Sequence, residues 1–237
     1  MYYDVHTHKI PEKNGDIFAV VNLSLEKTLP LPPPKGDRRN YSASKFEVSY
    51  PPLEEAGGGL RYSIGLHPWH IKKENVQKEL DLIEKYISFP DAKILGECGL
   101  DKLCETDFEL QKEAFSSQIL ISEKANKPLL IHCVKSFDEI IAFKKKYSPK
   151  QAWIIHGFRG KAQQAKQLTD NGFFLSFGFN YNEESIKNIP IKRVLFETDD
   201  SNYHIRTIYK KAAGTLGISE ERLINEVEKN VGYLMIA

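Results

Sequence analysis

Short runs of apolar and β-branched residues alternate along most of the chain with longer segments in which apolar residues recur every three or four positions. Runs of the first kind predict strands, and segments of the second kind predict amphipathic helices. The strands predicted in this way cover residues 2–6, 17–25, 60–66, 93–96, 129–131, 152–155, 173–177 and 193–196.

Helices are predicted between most of the later strands. The predicted ranges are 75–89, 107–127, 136–147, 161–171, 182–188 and 220–234. Asn75 and Ser219 are typical N-cap residues, and Ser136 followed by Glu139 predicts a capping box. Because helices of this length suit right-handed crossovers between parallel strands, we predict a (β/α)8 TIM-type barrel. A doubly wound open sheet has the same order of elements and stays open as an alternative, since periodicity does not show closure.

The first third of the chain lacks this regular alternation. No helical pattern lies between the first two strands, so we expect the first helical layer to be incomplete. Residues 28–59 are rich in proline and end in three consecutive glycines, a composition that disfavours long helices and central strands. We therefore predict a Pro-rich excursion between strands 2 and 3, with at most a short strand over 46–50.

Length and charge narrow the class of protein. The 237 residues suit one barrel domain over 1–237, and the formal net charge of +1 gives no global reason for tight binding to a polyanion. Three cysteines without framework spacing and the lack of a signal-like N-terminus favour a reduced, cytoplasmic chain. We expect no membrane association and no obligate protein partner.

Residues that bind metals or transfer protons follow most of the predicted strands. They are His6 and His8, His67 and His70, Glu97 and Asp101, His132, His156, and Asp199. In a barrel of parallel strands these positions share the C-terminal rim, where that fold builds its active site. A single histidine at a strand end is usually an ordinary hydrogen-bonded side chain, and for His67 and His70 that interpretation remains open. The coincidence across five strand ends predicts a shared metal site.

The motifs DVHTH, GLHPW, GECGLD, IHC, HGF and ETDD, in that order, resemble those of a TatD-type metal-dependent hydrolase. This family includes the TatD deoxyribonucleases and belongs to the amidohydrolase-like metal barrels. The resemblance covers nearly the whole chain. It implies that His6 and His8 bind a first metal ion, that Glu97 bridges, that His132 and His156 bind a second ion, and that Asp199 completes the first site beside the attacking water.

The resemblance also suggests roles for further residues. Asp199 and Glu97 are the expected catalytic carboxylates, with Asp199 as proton acceptor, and Asp101 could orient a ligand imidazole. Candidate substrate contacts are His67, Lys135 and Arg159. Family members commonly have an arginine two positions after the histidine that matches His132, but this chain has Val134 there, followed by Lys135. A lysine does not reproduce the bidentate grip of arginine on phosphate, which bears on the substrate.

The sequence therefore predicts a hydrolase that acts on phosphoester bonds through a binuclear metal-activated water. A TatD-like deoxyribonuclease is the leading specific function, with DNA as a possible substrate and two divalent ions of zinc, magnesium or manganese as cofactors. The alternatives are a hydrolase of a small phosphomonoester, amide or lactone, and a non-catalytic protein that binds metal or nucleic acid.

Overall fold

A computed structural model describes residues 1–9, 16–24 and 61–236 of the chain. Its eight strands form one sheet in which each strand pairs in parallel with the next along the chain. A bridge between Thr7 and Asp199 joins the first strand to the segment after the last, so the sheet forms a nearly closed barrel. The predicted barrel fold is confirmed. The strands are β1 (Tyr2–Thr7), β2 (Ile17–Ser24), β3 (Arg61–Gly65), β4 (Ala92–Asp101), β5 (Leu129–Val134), β6 (Trp153–Ile155), β7 (Phe174–Phe177) and β8 (Val194–Phe196).

Helices join the later strands. They are α1 (Val76–Ile87), α2 (Phe108–Ala125), α3 (Phe137–Tyr147), α4 (Ala162–Asp170), α5 (Glu183–Lys187), α6 (Ile205–Leu216) and α7 (Glu220–Ile236), with short 3-10 turns at Pro68–His70 and Ile191–Arg193. The described residues between β1 and β2 contain no helix. The predicted excursion at 28–59, including the short strand at 46–50, lies outside the described residues. The single-domain boundary at 1–237 stays a prediction.

The core lies between the sheet and the surrounding helices. Strands β6 and β8 consist only of buried apolar residues, as expected for strands covered on both faces. Aromatic rings fill the space outside the sheet, where Trp153 packs edge to face against Phe115 of α2 and against Phe173. In the described part of the chain, no helix is both long and apolar enough to cross a membrane.

Two strands are longer than predicted by three or more residues, and the additional residues carry the polar motifs. Strand β4 continues through Glu97 to Asp101, and β5 continues past His132 to Val134. The extension depends on Gly99, which pairs with His132 and has a φ of +138°. A Cβ atom at Gly99 would lie 2.0 Å from the carbonyl oxygen of His132, so only glycine permits this approach.

The predicted capping box is wrong. Ser136 is the N-cap residue of α3, but its side chain makes no capping hydrogen bond. Its hydroxyl is buried and donates to the carbonyl oxygen of Leu100 at 2.7 Å, while Glu139 pairs with Lys102. A tertiary contact has thus replaced the local one.

Helix α6 was not predicted from the sequence. Its N-cap is His204, whose Nδ1 accepts a hydrogen bond from the backbone N–H of Arg206 at 3.2 Å. His204 is the histidine that does not follow a predicted strand, and it has a local structural role instead.

Candidate metal centre

Four of the predicted ligands converge beside the ends of β1 and β8 and the middle of β4. Possible ligand atoms of His6, His8, Glu97 and Asp199 all lie within 4.8 Å of one another. His6 Nε2 is 3.2 Å from Glu97 Oε1 and 3.4 Å from Asp199 Oδ1. His8 Nε2 is 3.8 Å from Glu97 Oε2 and 3.5 Å from Asp199 Oδ1. Two imidazoles and two carboxylates therefore face one point.

Glu97 also faces the remaining two predicted ligands. His156 Nε2 lies 2.9 Å from Glu97 Oε1 and 3.3 Å from His132 Nδ1. His67 approaches the same side, because its possible ligand atom lies within 4.8 Å of those of Glu97 and His132. The carboxylate of Glu97 thus lies between two groups of histidines, and all six predicted ligands meet at the barrel mouth.

His6 provides a test of whether a cation fits this cluster. Its side chain is fully buried, yet neither ring nitrogen has a partner with hydrogen-bond geometry among the described residues, although Glu97 Oε1 is only 3.2 Å from Nε2. A buried polar group without a partner is costly, and a divalent ion between imidazoles and carboxylates would satisfy it. The donor set and its convergence therefore fit a metal ion.

The charges of the cluster are mutually dependent. Burial alone would raise the pKa of Glu97, but the neighbouring His6 and His156 lower it well below its usual range. Burial lowers the pKa of His156, yet Glu97 and Glu197 outweigh it and raise the pKa to about 9. A metal ion must displace protons from such imidazoles, so binding would release protons near neutral pH.

Backbone contacts hold the β1 and β8 side of the cluster. Asp199 has a φ of +53°, a left-handed conformation that is uncommon for a residue other than glycine. Its N–H donates to His6 O at 3.0 Å, and its carbonyl accepts the N–H of His8 at 3.2 Å. Asp4, which the period of the strand places on the face of His6 and His8, accepts hydrogen bonds from both the N–H and the hydroxyl of Thr198. These bonds fix the segment that carries Asp199.

Side-chain contacts hold the β4 and β5 side. Asp101 Oδ2 lies 3.1 Å from His132 Nε2, as expected of a carboxylate that orients an imidazole. Since a carboxylate accepts, the proton of neutral His132 belongs on Nε2, which leaves the lone pair of Nδ1 directed toward His156 and the cluster. Burial and the neighbouring His156 lower the pKa of His132, consistent with a neutral ring.

The cluster lies in a cleft of about 420 Å³. His67, Trp69 and His70 form part of its wall, and no lysine or arginine of the described residues lines it. His67 Nδ1 accepts the N–H of Trp69 at 3.2 Å, and burial together with His132 lowers the pKa of His67 to about 3. Neutral His67 therefore carries its proton on Nε2. Lys135 and Arg159 are exposed and do not line the cleft, so their contact with substrate stays a prediction.

The sequence matches the family of TatD related DNases over residues 7–234. The chain belongs to the TatD family. An uncharacterized metal-dependent hydrolase of Haemophilus influenzae is 29% identical over 154 residues, which are 59% of this chain and 58% of that protein. A 3'-5' ssDNA/RNA exonuclease TatD of Erwinia tasmaniensis is 28% identical over 147 residues, 58% of this chain and 56% of that protein. The chain thus spans less than two thirds of the length of these curated relatives.

The crystal structure of YjjV, a TatD homologue from Escherichia coli K12, has the same fold. Its TM-score is 0.73 at 17% sequence identity, and the comparison covers 100% of this chain and 98% of YjjV. Similarity at this level of identity supports the barrel architecture of this TatD family member. Its chemistry depends on its own side chains at the barrel mouth.

Sequence reasoning missed Glu197 in this TatD family chain. Glu197 is fully buried, its Oε1 accepts the N–H of Gly157 at 2.7 Å, and the same oxygen lies 3.5 Å from His156 Nδ1. No described residue forms a hydrogen bond with its Oε2, and the carboxylate converges with His156 and Asp199. The sequence does offer a signal for this residue. Glu197 directly follows an apolar predicted strand and precedes Asp199 by two positions.

Asn22 was missed as well. Its Nδ2 donates to Glu97 Oε2 at 3.1 Å, and its Oδ1 accepts the hydroxyl of Ser63 at 3.2 Å. Asn22 is buried and polar in the middle of the apolar strand β2. A buried polar side chain needs hydrogen-bond partners, and these hydrogen bonds connect β2 and β3 to Glu97.

Proposed function

We propose that this TatD family chain is a hydrolase that cleaves phosphoester bonds with two divalent metal ions, and that DNA is its leading substrate. The observation that carries the proposal is the convergence of His6, His8, Glu97 and Asp199 within 4.8 Å, with His132 and His156 beside Glu97. A structural zinc site needs four ligands and has no open position, whereas six candidates in an open cleft leave room for water and substrate.

We assign His6, His8 and Asp199 to one ion, His132 and His156 to the other, and Glu97 to both. The Glu97 assignment is supported by its two oxygens, which approach histidines of both groups. Imidazole and carboxylate ligands in this mixture suit zinc, and also manganese and other divalent ions.

The bound ions would lower the pKa of a water and neutralise charge on phosphate oxygens during the attack. The other roles belong to the side chains of this chain. Asp199 is partly exposed to the cleft and adjacent to the cluster, so we assign to it the acceptance of the proton from the attacking water. His67 lines the cleft as a neutral imidazole whose Nδ1 accepts the N–H of Trp69, and we assign to its Nε2–H a hydrogen bond to a substrate oxygen.

A small substrate is the second candidate function, and the character of the cleft favours it. Binding to a nucleic acid backbone usually relies on lysine and arginine, and the described residues place neither in the wall of the cleft. The cleft of about 420 Å³ is also of the size that holds small molecules. A phosphomonoester, an amide or a lactone would fit this alternative.

A reconstitution experiment tests both candidates. The metal-free protein would be loaded with Mn²⁺, Zn²⁺ or Mg²⁺ and assayed on single-stranded DNA, bis(p-nitrophenyl) phosphate, phosphomonoesters and simple lactones, with EDTA as control. We expect about two ions per chain and metal-dependent cleavage of phosphodiesters ahead of the other classes. Preferential hydrolysis of phosphomonoesters would support the second candidate. Turnover of lactones alone, or of nothing after loading, would contradict phosphoester hydrolysis.

A further inference from the structure

Trp69 is a large aromatic residue with an unusual position at the mouth of the barrel. It belongs to the 3-10 turn Pro68–His70 after β3, and it is 58% exposed. Its indole N–H nevertheless points inward and donates to Asp101 Oδ2 at 2.7 Å. The ring lies edge to face against His67 and His132, with centroid distances of 4.9 and 5.7 Å. The ring therefore gains little from burial, and its contacts are directed at the histidines of the cluster.

Asp101 is fixed on every side. Its Oδ1 accepts the N–H of Leu103 at 2.8 Å, and its Oδ2 is shared by Trp69 Nε1 and His132 Nε2. Its backbone N–H and carbonyl are both bonded to the side-chain amide of Gln111, on α2. Only 3% of Asp101 is exposed, so water cannot readily replace a lost donor.

These bonds form a chain from the surface of the protein to a predicted metal ligand. Asp101 keeps the proton of His132 on Nε2 and thereby presents Nδ1 to the cluster. The second donor to the same oxygen is Trp69, which together with the Leu103 N–H on Oδ1 fixes the rotation of the carboxylate about its own axis. Without the indole N–H, the carboxylate would gain rotational freedom, and the imidazole would be held less precisely.

We propose that Trp69 is a positioning residue that orients His132 through the shared carboxylate of Asp101. The inference rests on the proposed role of His132 as a metal ligand, and it is independent of the substrate. Trp69 acts through its N–H in this arrangement, and the face of its ring is not required.

Calorimetric titration of the metal-free protein with Mn²⁺ tests the proposal without any substrate. Trp69→Phe keeps an aromatic ring and removes the N–H, and we expect it to weaken one of two Mn²⁺ sites by about tenfold while the other site is unchanged. Asp101→Asn should weaken the same site. The double variant should bind no more weakly than Asp101→Asn alone, because the indole N–H that Trp69→Phe removes reaches His132 only through Asp101.

Tyr233→Phe provides a matched control. Tyr233 is an exposed aromatic residue of α7, 60% exposed, and it too would lose its one polar atom. The Tyr233→Phe variant should bind Mn²⁺ with the affinity of the wild type. Wild-type affinity in Trp69→Phe, additive losses in the double variant, or no Mn²⁺ uptake by the wild type would each overturn the proposal. If the wild type binds Mn²⁺ as expected but hydrolyses no phosphoester, only the proposed function fails.

A spectroscopic measurement keeps the test decisive should Trp69→Phe fail to fold. The chain has two tryptophans, so its ¹⁵N–¹H spectrum should show two indole signals. Trp153 is fully buried, and its Nε1 has no hydrogen-bond partner in the described ranges of the chain. Asp101→Asn should move the signal of Trp69 and leave that of Trp153 in place. A Trp69 signal that does not respond to Asp101→Asn would overturn the proposal.

Discussion

The two sides of the metal cluster contain the same types of side chain, but different interactions hold them. On the β1 and β8 side, the backbone of Asp199 is hydrogen-bonded to the backbones of His6 and His8, and within the described part of the chain the imidazole of His6 has no hydrogen-bond partner. On the β4 and β5 side, the carboxylate of Asp101 lies 3.1 Å from His132 Nε2, and the side-chain amide of Asn22 donates to Glu97. One side is therefore positioned mainly by hydrogen bonds of the main chain, and the other by hydrogen bonds between side chains.

This difference indicates which substitutions each side tolerates. The main-chain hydrogen bonds on the first side belong to the residues that close the barrel between β1 and β8. A substitution that breaks these bonds should therefore lower the stability of the whole fold. A side-chain network is local, and the loss of one member should change the affinity for the ion more than the stability. The variants below would sharpen or refute this distinction.

The largest effect is expected at Asp199. Asp199→Asn removes the proposed proton acceptor and one ligand while keeping the shape of the side chain, so kcat should fall by roughly 10²- to 10⁴-fold. Kinetics on the substrate identified by reconstitution would measure this loss, and circular dichroism would verify the fold. Asp200→Asn removes the adjacent, exposed carboxylate and should retain most of the activity. Near-normal turnover of Asp199→Asn would exclude the role of proton acceptor.

Asp4→Ala tests the main-chain side. The substitution leaves the buried N–H of Thr198 without its acceptor and leaves its hydroxyl with Thr7 Oγ1 as the remaining acceptor, so the free energy of unfolding should fall by about 1–3 kcal/mol. Urea denaturation of the metal-free protein would measure it. Asp170→Ala, which removes an exposed carboxylate of α4, should change stability by no more than about 0.5 kcal/mol. Equal effects of the two variants would show that Asp4 does not hold the barrel closed.

The smallest effects are expected in the network around Glu97. Asn22→Ala removes a direct bond to Glu97 and should weaken Mn²⁺ binding by about tenfold. Ser63 reaches Glu97 only through its hydrogen bond to Asn22, so Ser63→Ala should weaken Mn²⁺ binding less. Calorimetric titration would compare the two variants. A larger loss for Ser63→Ala than for Asn22→Ala would contradict the proposed order of contacts.

The fold was largely predictable because local patterns specify it. Apolar runs marked all eight strands, and the predicted helices lie close to their observed positions. The errors have tertiary causes. The capping box at Ser136 failed because Leu100, on another element, offered a buried acceptor. Strands β4 and β5 extend through polar motifs because their pairing, which Gly99 permits, satisfies the backbone there.

The sequence alone determined the types of ligand and their order at the strand ends, since a parallel barrel brings those ends together wherever they occur in the chain. The tertiary structure decided which nitrogen of His132 faces the cluster, and it revealed Glu197, Asn22 and Trp69 as neighbours of the ligands. Trp69 and Asp101 are 32 residues apart, and Asn22 and Glu97 are 75 residues apart. No periodicity in one sequence encodes such pairs, because a hydrogen bond between distant residues depends on the positions of both side chains in the folded barrel.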